Sequence, residues 1–230
     1  MRDRRGEILR EITVAIDGPA GSGKSTIAKI LAKKYNMTYL DTGAMYRMVS
    51  FFLLEKGVDL DNNAEIVKKL NEIHLDIQGD NFFINGVDVS KEIRTPEVTA
   101  IVSKVSAVKE VRVKLVDLQR EIAKGKRAIL DGRDIGTVVF PKAHIKIFLV
   151  ASPEERAKRR VKDYSDKGII EEQYEDVLAA IKERDFLDST RAESPLKKAE
   201  DAVEIDSSFM NIEEVCNKIS QHIETIEGRK

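Results

Sequence analysis

The spacing of apolar positions changes repeatedly along the chain, and each change marks an element. Residues 11–17, EITVAID, form an apolar run rich in β-branched side chains, which predicts a buried strand over 12–17. In IAKILAKKY, Ile27, Ile30, Leu31 and Tyr35 fall on one helical stripe, predicting a helix over 23–35. MTYLD (37–41) reads as a second short strand. AMYRMVSFFLLEKG then reads as a well-buried helix with Thr42 as its N-cap and Gly57 as its stop.

The pattern changes character over 58–106. NNAEIVKKLNEI predicts a short amphipathic helix begun at Asp61 or Asn62. HLDIQGDNFFINGVDVS alternates by twos, with Gly-Asp and Asn-Gly turn signals, and predicts a small antiparallel sheet. A meander of that kind does not belong inside a parallel α/β core, so 58–106 is expected to be an inserted subdomain. EVTAIVSKVSAV and KEVRVKLVDLQREIAKG are helical, the second ending at Gly125.

Three more core strands are expected at RAILD (127–131), HIKIFLVA (144–151) and AVEID (202–206). Between the first two lies DGRDIGTVVFPKA, read as a Gly- and Asp-rich loop. Ser152-Pro153-Glu154-Glu155 starts a helix with an N-cap serine, proline at the first position and an acidic first turn. Lys167-Gly168 is expected to break it. EEQYEDVLAAIKERDFLDSTR and NIEEVCNKISQHIETIE complete the helices. Strands alternating with helices predict an α/β fold with a five-stranded, doubly wound parallel sheet. The core is expected over 1–57 and 107–230, with a lid at about 152–170. Ligands of such sheets bind beyond the carboxyl ends of the strands, which selects loops 18–25, 41–47, 131–137 and 151–160 as one mouth.

The chemistry is concentrated between the first strand and the first helix. GPAGSGKST comprises Gly18, Pro19, Ala20, Gly21, Ser22, Gly23, Lys24, Ser25 and Thr26, and matches the P-loop pattern G-x-x-x-x-G-K-[ST]. The glycines permit backbone angles that a Cβ forbids, so the loop can aim N–H groups at an anion, and the helix start adds its dipole. Lys24 would reach the β- and γ-phosphates of ATP, and Ser25 would place its hydroxyl on Mg²⁺. A Gly-rich turn with an accidental lysine occurs by chance in about one chain of this length in a hundred, before the flanking strand and helix are counted.

Asp131 follows the third core strand, where P-loop proteins often keep a carboxylate near Mg²⁺. Arg133 offers a fork for phosphate oxygens, and Asp134 could accept from a base amino group. Arg156, Arg159 and Arg160 share one helix face. They form either a solvated face paired with Glu154 and Glu155, or a lid that closes on the triphosphate. Arg184, Asp188 and Arg191 also share a face, either as an intrahelical ladder or as a grip on sugar and phosphate.

Composition narrows the partners. The chain has 230 residues with 34% charged and 42% hydrophobic, which suits one sizeable core with an insertion. A formal net charge of −1 gives no global basic field for nucleic acid. Cys216 is the single cysteine, so no intrachain disulfide forms, and His74, His144 and His222 lack metal-ligand spacing. No apolar run approaches a membrane span, and the charged start MRDRRGEILRE lacks a signal-peptide core. A cytoplasmic monomer is expected, with frayed ends at that arm and at the tail IEGRK.

The P-loop, LDTGAMYR (40–47), DGRDIGTVVFP (131–141) and IKERDFLDSTR (181–191) together resemble the bacterial cytidylate kinases, over about 12–225. The resemblance implies transfer of a phosphoryl group from ATP to CMP or dCMP, with Mg²⁺. It implies that the insertion at 58–106 is a nucleoside-monophosphate-binding subdomain. It also implies that Thr42 lies near the acceptor phosphate and that Arg47 and Arg133 grip it. Ser103, Arg112 and Asp134 would read cytosine, and Arg184 and Asp188 would hold the sugar. Asp131 would lie beside the substrate, and Arg159 with its neighbours Arg156 and Arg160 would contact ATP and the moving phosphoryl group. Another small-molecule P-loop kinase, using UMP or a coenzyme precursor, is the nearest rival. A GTP-binding switch would need an N-K-x-D motif, which does not occur. An ATPase acting on nucleic acid would need a basic stripe and a helicase-like acidic pair, and neither is present.

Overall fold

The computed structural model describes residues 11–166 and 173–228. The expected break at Lys167-Gly168, the last part of the expected lid, most of the N-terminal arm and the final two residues lie outside the described residues.

The chain divides into two compact units, Met1–Leu40 with Ala123–Thr190 and Ser194–Lys230, and Asp41–Ile122 with Arg191–Glu193. The first holds a five-stranded sheet built from β1 (Thr13–Asp17), β2 (Thr38–Asp41), β6 (Ala128–Gly132), β7 (Ile145–Val150) and β8 (Val203–Asp206), in the order β2-β6-β1-β7-β8. β1 pairs in parallel with β6 on one side and β7 on the other, and β7 pairs in parallel with β8. The strand order reverses beside β1, and the crevice above that reversal is where such sheets take ligands.

Every residue of β1 and of β6 is buried, as the absence of a polar face predicts. One sheet face packs Ile12, Val14, Ile16 and Ile129 against α1 (Lys24–Tyr35) and α8 (Ile212–Glu227), through Ile27, Leu31, Val215, Ile219 and Ile223. A smaller apolar cluster joins α6 (Pro153–Asp166) to α7 (Tyr174–Thr190) through Ala157, Val177 and Ile181. His144 serves the fold, since its Nδ1 accepts a hydrogen bond from the Thr13 N–H at 3.1 Å.

The second unit is organised around α2 (Thr42–Glu55), which packs on α4 (Pro96–Ser106), on a one-turn 3₁₀ helix at Glu92–Arg94 and on β4 (Asn81–Ile84). β4 is the middle strand of an antiparallel sheet with β3 (Leu75–Gln78) and β5 (Val87–Asp88), and the expected 58–106 segment lies within this unit. α3 (Asn63–Leu70) and α5 (Lys109–Ala123) complete it.

Three local expectations change. The N-cap of α2 is Asp41, whose carboxylate accepts from the Ala44 N–H at 2.8 Å, so Thr42 is the first helical residue. The last helix closes at Glu227 as expected, so Ile226 and Glu227 do not fray with the tail: buried Arg127 pairs with Glu227 and Ile226 packs on the core. The 131–143 segment is not all loop: Ile135–Val139 forms a π-helical turn, with N–H groups of Val139 and Phe140 bonded five residues back, to Asp134 and Ile135, at 3.1 and 2.7 Å.

α8 opens with a reciprocal capping box between Asn211 and Glu214, at 2.9 and 2.8 Å. Asn211→Ala should lower stability by about 1 kcal/mol, read from the denaturant midpoint.

Candidate active site

The glycine loop leaves β1 under a hard steric constraint. Gly18 has φ 148°, and a Cβ there would lie 2.0 Å from the Leu149 carbonyl oxygen of β7. No side chain fits at that position. The loop then turns through Gly21 and Gly23, and Gly23 caps α1 with no side chain of its own. The first N–H groups of α1 are therefore left without a side-chain acceptor from the cap, the arrangement that favours an anion.

Lys24 is buried, and its Nζ donates to the Pro19 carbonyl at 2.6 Å and lies 3.4 Å from the Ser22 hydroxyl. Burial pushes its pKa well below the usual lysine range, and Arg133 pushes in the same direction, while Asp131 and Asp17 oppose them. Ser22 is tied to the Pro19 carbonyl at 3.1 Å. Thr26 is exposed in the first turn of α1, next to Ser25.

The Ser25 hydroxyl donates to Asp131 Oδ2 at 2.7 Å, and Asp131 Oδ1 accepts from the Tyr39 hydroxyl at 2.8 Å. A hydroxyl and a carboxylate so close are hard oxygen donors of the kind Mg²⁺ takes when phosphates and water complete its shell. The described residues contain no cluster of three or more His, Cys, Asp or Glu able to hold a metal alone. A metal here would depend on nucleotide oxygens for the rest of its ligands.

Arg133 Nε donates to Asp188 Oδ2 at 2.8 Å, linking the end of β6 to α7. Asp188 thus has a partner outside its own helix, beyond the intrahelical ladder that the spacing allowed. Asp134 is buried at the head of the π-helical turn. Arg184 lies on α7 one turn before Asp188, close enough to Lys24 to depress its pKa.

The three arginines of α6 have different surroundings. Arg156 is buried, donating to the Ala151 carbonyl at 2.9 Å and the P-loop carbonyl of Ala20 at 3.0 Å, and forming a two-pronged ion pair with Asp185 of α7. Arg159 bonds Glu155 at 3.2 Å and the Ser207 carbonyl at 2.6 Å. Arg160 is half-buried.

In the second unit, Thr42 is buried at the start of α2 and Arg47 is half-buried one turn later. Arg112 is buried, with its guanidinium 5.1 Å from the centre of the Tyr46 ring and 3.0 Å from the Ser106 carbonyl. Ser106 Oγ donates to the Ser103 carbonyl at 3.0 Å and accepts from Arg191 at 3.1 Å. Ser103, Arg112 and Arg191 are thus gathered around Ser106.

Sequence reasoning missed Ser106, Tyr46, Tyr39, Asp185 and Asp17. Asp17 carried a signal: it is a carboxylate at the end of an otherwise apolar, buried strand. Its Oδ1 accepts from the Ile135 N–H at 2.8 Å and its Oδ2 from the Gly136 N–H at 2.7 Å. Burial raises its pKa from 3.8 to about 6 against the lowering effect of those two bonds; Asp134 adds to the rise and Lys24 opposes it.

Residues 14–225 match the family model described as cytidylate kinase. A cytidylate kinase of Fusobacterium nucleatum subsp. nucleatum is 57% identical over 218 residues, spanning 95% of this chain and 100% of that protein. One from Clostridium tetani is 49% identical over 214 residues, spanning 93% of this chain and 94% of that protein. Among solved structures, an uncharacterized protein from Eubacterium ventriosum aligns with TM-score 0.51 at 14% identity, over 93% of this chain and 99% of the other. A gluconokinase from Sinorhizobium meliloti aligns with TM-score 0.50 at 11% identity, over 94% and 95%. These two share the fold alone. No described helix is long and apolar enough to cross a membrane.

The shifted Asp17 carboxyl predicts a pH effect on stability. The folded group takes up its proton near 6 and the unfolded one near 3.8. Its contribution is complete below the unfolded value and is lost as pH rises through the folded value. Lowering pH from about 8 to about 5 should therefore stabilise the wild type relative to Asp17→Asn by on the order of 1 kcal/mol, measured from urea midpoints.

Proposed function

The chain belongs to the cytidylate kinase family, and from that premise we propose that it transfers the γ-phosphoryl group of ATP to CMP or dCMP. An oxygen of the acceptor's phosphate forms the new P–O bond, the bond to the β-phosphate bridging oxygen breaks, and ADP leaves with CDP or dCDP. The observation that carries the reading is the head of α1. There Lys24 and Ser25 follow a glycine loop that tolerates no side chain at Gly18, and Ser25 sits 2.7 Å from Asp131.

In this reading Gly18, Pro19, Ala20, Gly21, Ser22, Gly23 and Thr26 wrap the ATP phosphates with backbone N–H groups, and Lys24 neutralises the transferring group. Ser25 and Asp131 would hold Mg²⁺, which supplies charge neutralisation at the β- and γ-oxygens when bound. Arg133, Arg159 and Arg160 steady charge on the moving phosphoryl group. Arg156 acts on ATP through the Ala20 carbonyl that it holds. Arg47 and Thr42 hold the acceptor phosphate, Arg184 and Asp188 the sugar, and Ser103, Arg112 and Asp134 the base. No strong base is required, because the attacking phosphate oxygen is already a nucleophile; catalysis is alignment plus charge neutralisation. The protein acts as a monomer on free nucleotides in the cytoplasm.

Assaying phosphoryl transfer from ATP to CMP, dCMP, UMP, AMP and GMP tests the proposal directly, and preference for any acceptor other than CMP or dCMP would refute it. Lys24→Ala should lower kcat by about 10²–10³-fold with the fold intact by circular dichroism. Near-normal turnover in a folded variant would remove Lys24 from the mechanism.

Base choice gives a second prediction. An ionised carboxylate accepts hydrogen bonds and donates none. Asp134 can pair with the exocyclic amine of cytosine; uracil offers a carbonyl there, leaving two acceptors opposed. Such a buried mismatch costs about 1–3 kcal/mol or more. CMP should exceed UMP in kcat/KM by about tenfold to a hundredfold, and Asp134→Asn and Asp134→Ala should shrink the ratio mainly by harming CMP. An unchanged ratio in folded variants would take base reading away from Asp134.

A further inference from the structure

Asp17 belongs to none of the groups assigned above, yet its contacts lie directly behind two of them. We propose that Asp17 is a positioning residue: its carboxylate clamps the turn after β6 and so sets Arg133 and Asp134 for the acceptor nucleotide. The proposal rests on the acceptor-side reading of Arg133 and Asp134 given above.

A helical turn begins with N–H groups that need acceptors, and these usually come from a cap residue of the same segment. Here the turn Ile135–Val139 is preceded by Asp134, whose side chain makes no capping bond. The acceptors come instead from across the sheet. Asp17 is the last residue of β1, in register with Gly132, and its two oxygens take the first two N–H groups of the turn at 2.8 and 2.7 Å. Two short bonds from one planar group fix both the position and the tilt of the peptide planes that follow Asp134. The Asp134 side chain is not used in capping. Arg133, one residue before it, reaches Asp188 at 2.8 Å.

The fit is tight from the other side as well. A Cβ added at Gly136 would lie 3.3 Å from Asp17 Oδ2 and 3.2 Å from Lys146 Cδ. Lys146 itself points its ammonium away, to the Pro141 carbonyl at 2.6 Å and to Asp201 at 2.8 Å. The charged groups that bear on Asp17 are therefore Lys24, which favours its ionised form, and Asp134, which opposes it. Burial makes the ionised form unfavourable to the fold, so stability is a poor account of a carboxylate at this place. Holding a loop in one arrangement is a better one.

Asp17→Asn preserves the size of the side chain but offers one acceptor oxygen, with an amide donor facing the other N–H. With this variant, KM for CMP should rise about tenfold or more while KM for ATP stays within about twofold. The CMP:UMP ratio of kcat/KM should fall, hydrogen exchange at the Ile135 and Gly136 amides should speed up, and the urea midpoint at about pH 8 should not drop. Gly136→Ala, which crowds the clamp from the loop side, should likewise raise KM for CMP, lower the CMP:UMP ratio and speed exchange at these amides with KM for ATP within about twofold, and serves if Asp17→Asn does not fold. An unchanged KM for CMP in the folded variant overturns the clamp, and so does an equal rise in KM for ATP with a fall in midpoint. Asp134→Asn measured alongside separates the two proposals. If it alone changes the CMP:UMP ratio, the clamp fails and the base reading stands. If it leaves that ratio untouched while Asp17→Asn raises KM for CMP, the base reading fails and the clamp acts through Arg133.

Discussion

A lysine ammonium held almost out of water is the constraint around which the first unit is built. Taking such a charge from water is unfavourable, and Lys24 shows it as a pKa pressed well below normal. The protein offsets the cost in part, with the Pro19 carbonyl at 2.6 Å and with Asp131 and Asp17 nearby, and Arg133 and Arg184 work against that offset. An incoming polyphosphate would supply the missing negative charge. The site is therefore organised before its ligand arrives, and the ligand relieves a tension already present. Central β1 delivers the glycine loop and Asp17, its neighbour β6 delivers Asp131, and the sheet order brings these to one crevice.

The arginines of α6 follow the same logic of partial commitment. Three guanidinium groups on one helix face read alike in sequence, but Arg156 is fully engaged, gripping both the P-loop carbonyl of Ala20 and Asp185 of α7. Asp185 sits between Arg184 and Asp188 on α7, so that ion pair ties the phosphate loop to the helix on which both of those residues ride. Arg159 is fastened to the segment after β8 through Ser207. Arg133, Arg156, Arg159 and Ser25 each hold another part of the crevice in place.

Secondary structure was legible because burial imposes periodicity. β1 and α1 could be read to within a residue, as could the Asn62 cap of α3 and the Ser152-Pro153 start of α6. The P-loop was legible because its chemistry is local. What escaped reading was the choice of partner between distant segments. Asp41 displaced Thr42 as a cap because its carboxylate, one residue earlier, takes the Ala44 N–H, a choice between two adjacent capping residues that spacing leaves open. The π-helical turn was missed because its N-terminal acceptors sit 118 and 119 residues away, on Asp17. The partner of Arg156 was illegible because nothing near it in sequence announces Asp185, 29 residues on. Local spacing reports which face is buried; it does not report which groups meet there.

The sheet order also sets a timetable for synthesis. Among the described strands β1 is paired with β6 and β7, and those strands begin at Ala128 and Ile145. At a translation rate of about 5–20 residues per second, this fully buried central strand waits on the order of ten seconds for its first neighbour. Throughout that interval it is an unpaired, β-branched segment of the kind that seeks edges on other chains. α1 follows directly and can cover one side of it with Ile27 and Leu31, and the second unit is synthesised in the meantime with strand and helix partners all its own. The nascent chain's exposure to misassociation is thus governed by how long the ribosome takes to reach residue 128, a property of topology that no substitution within the crevice would alter.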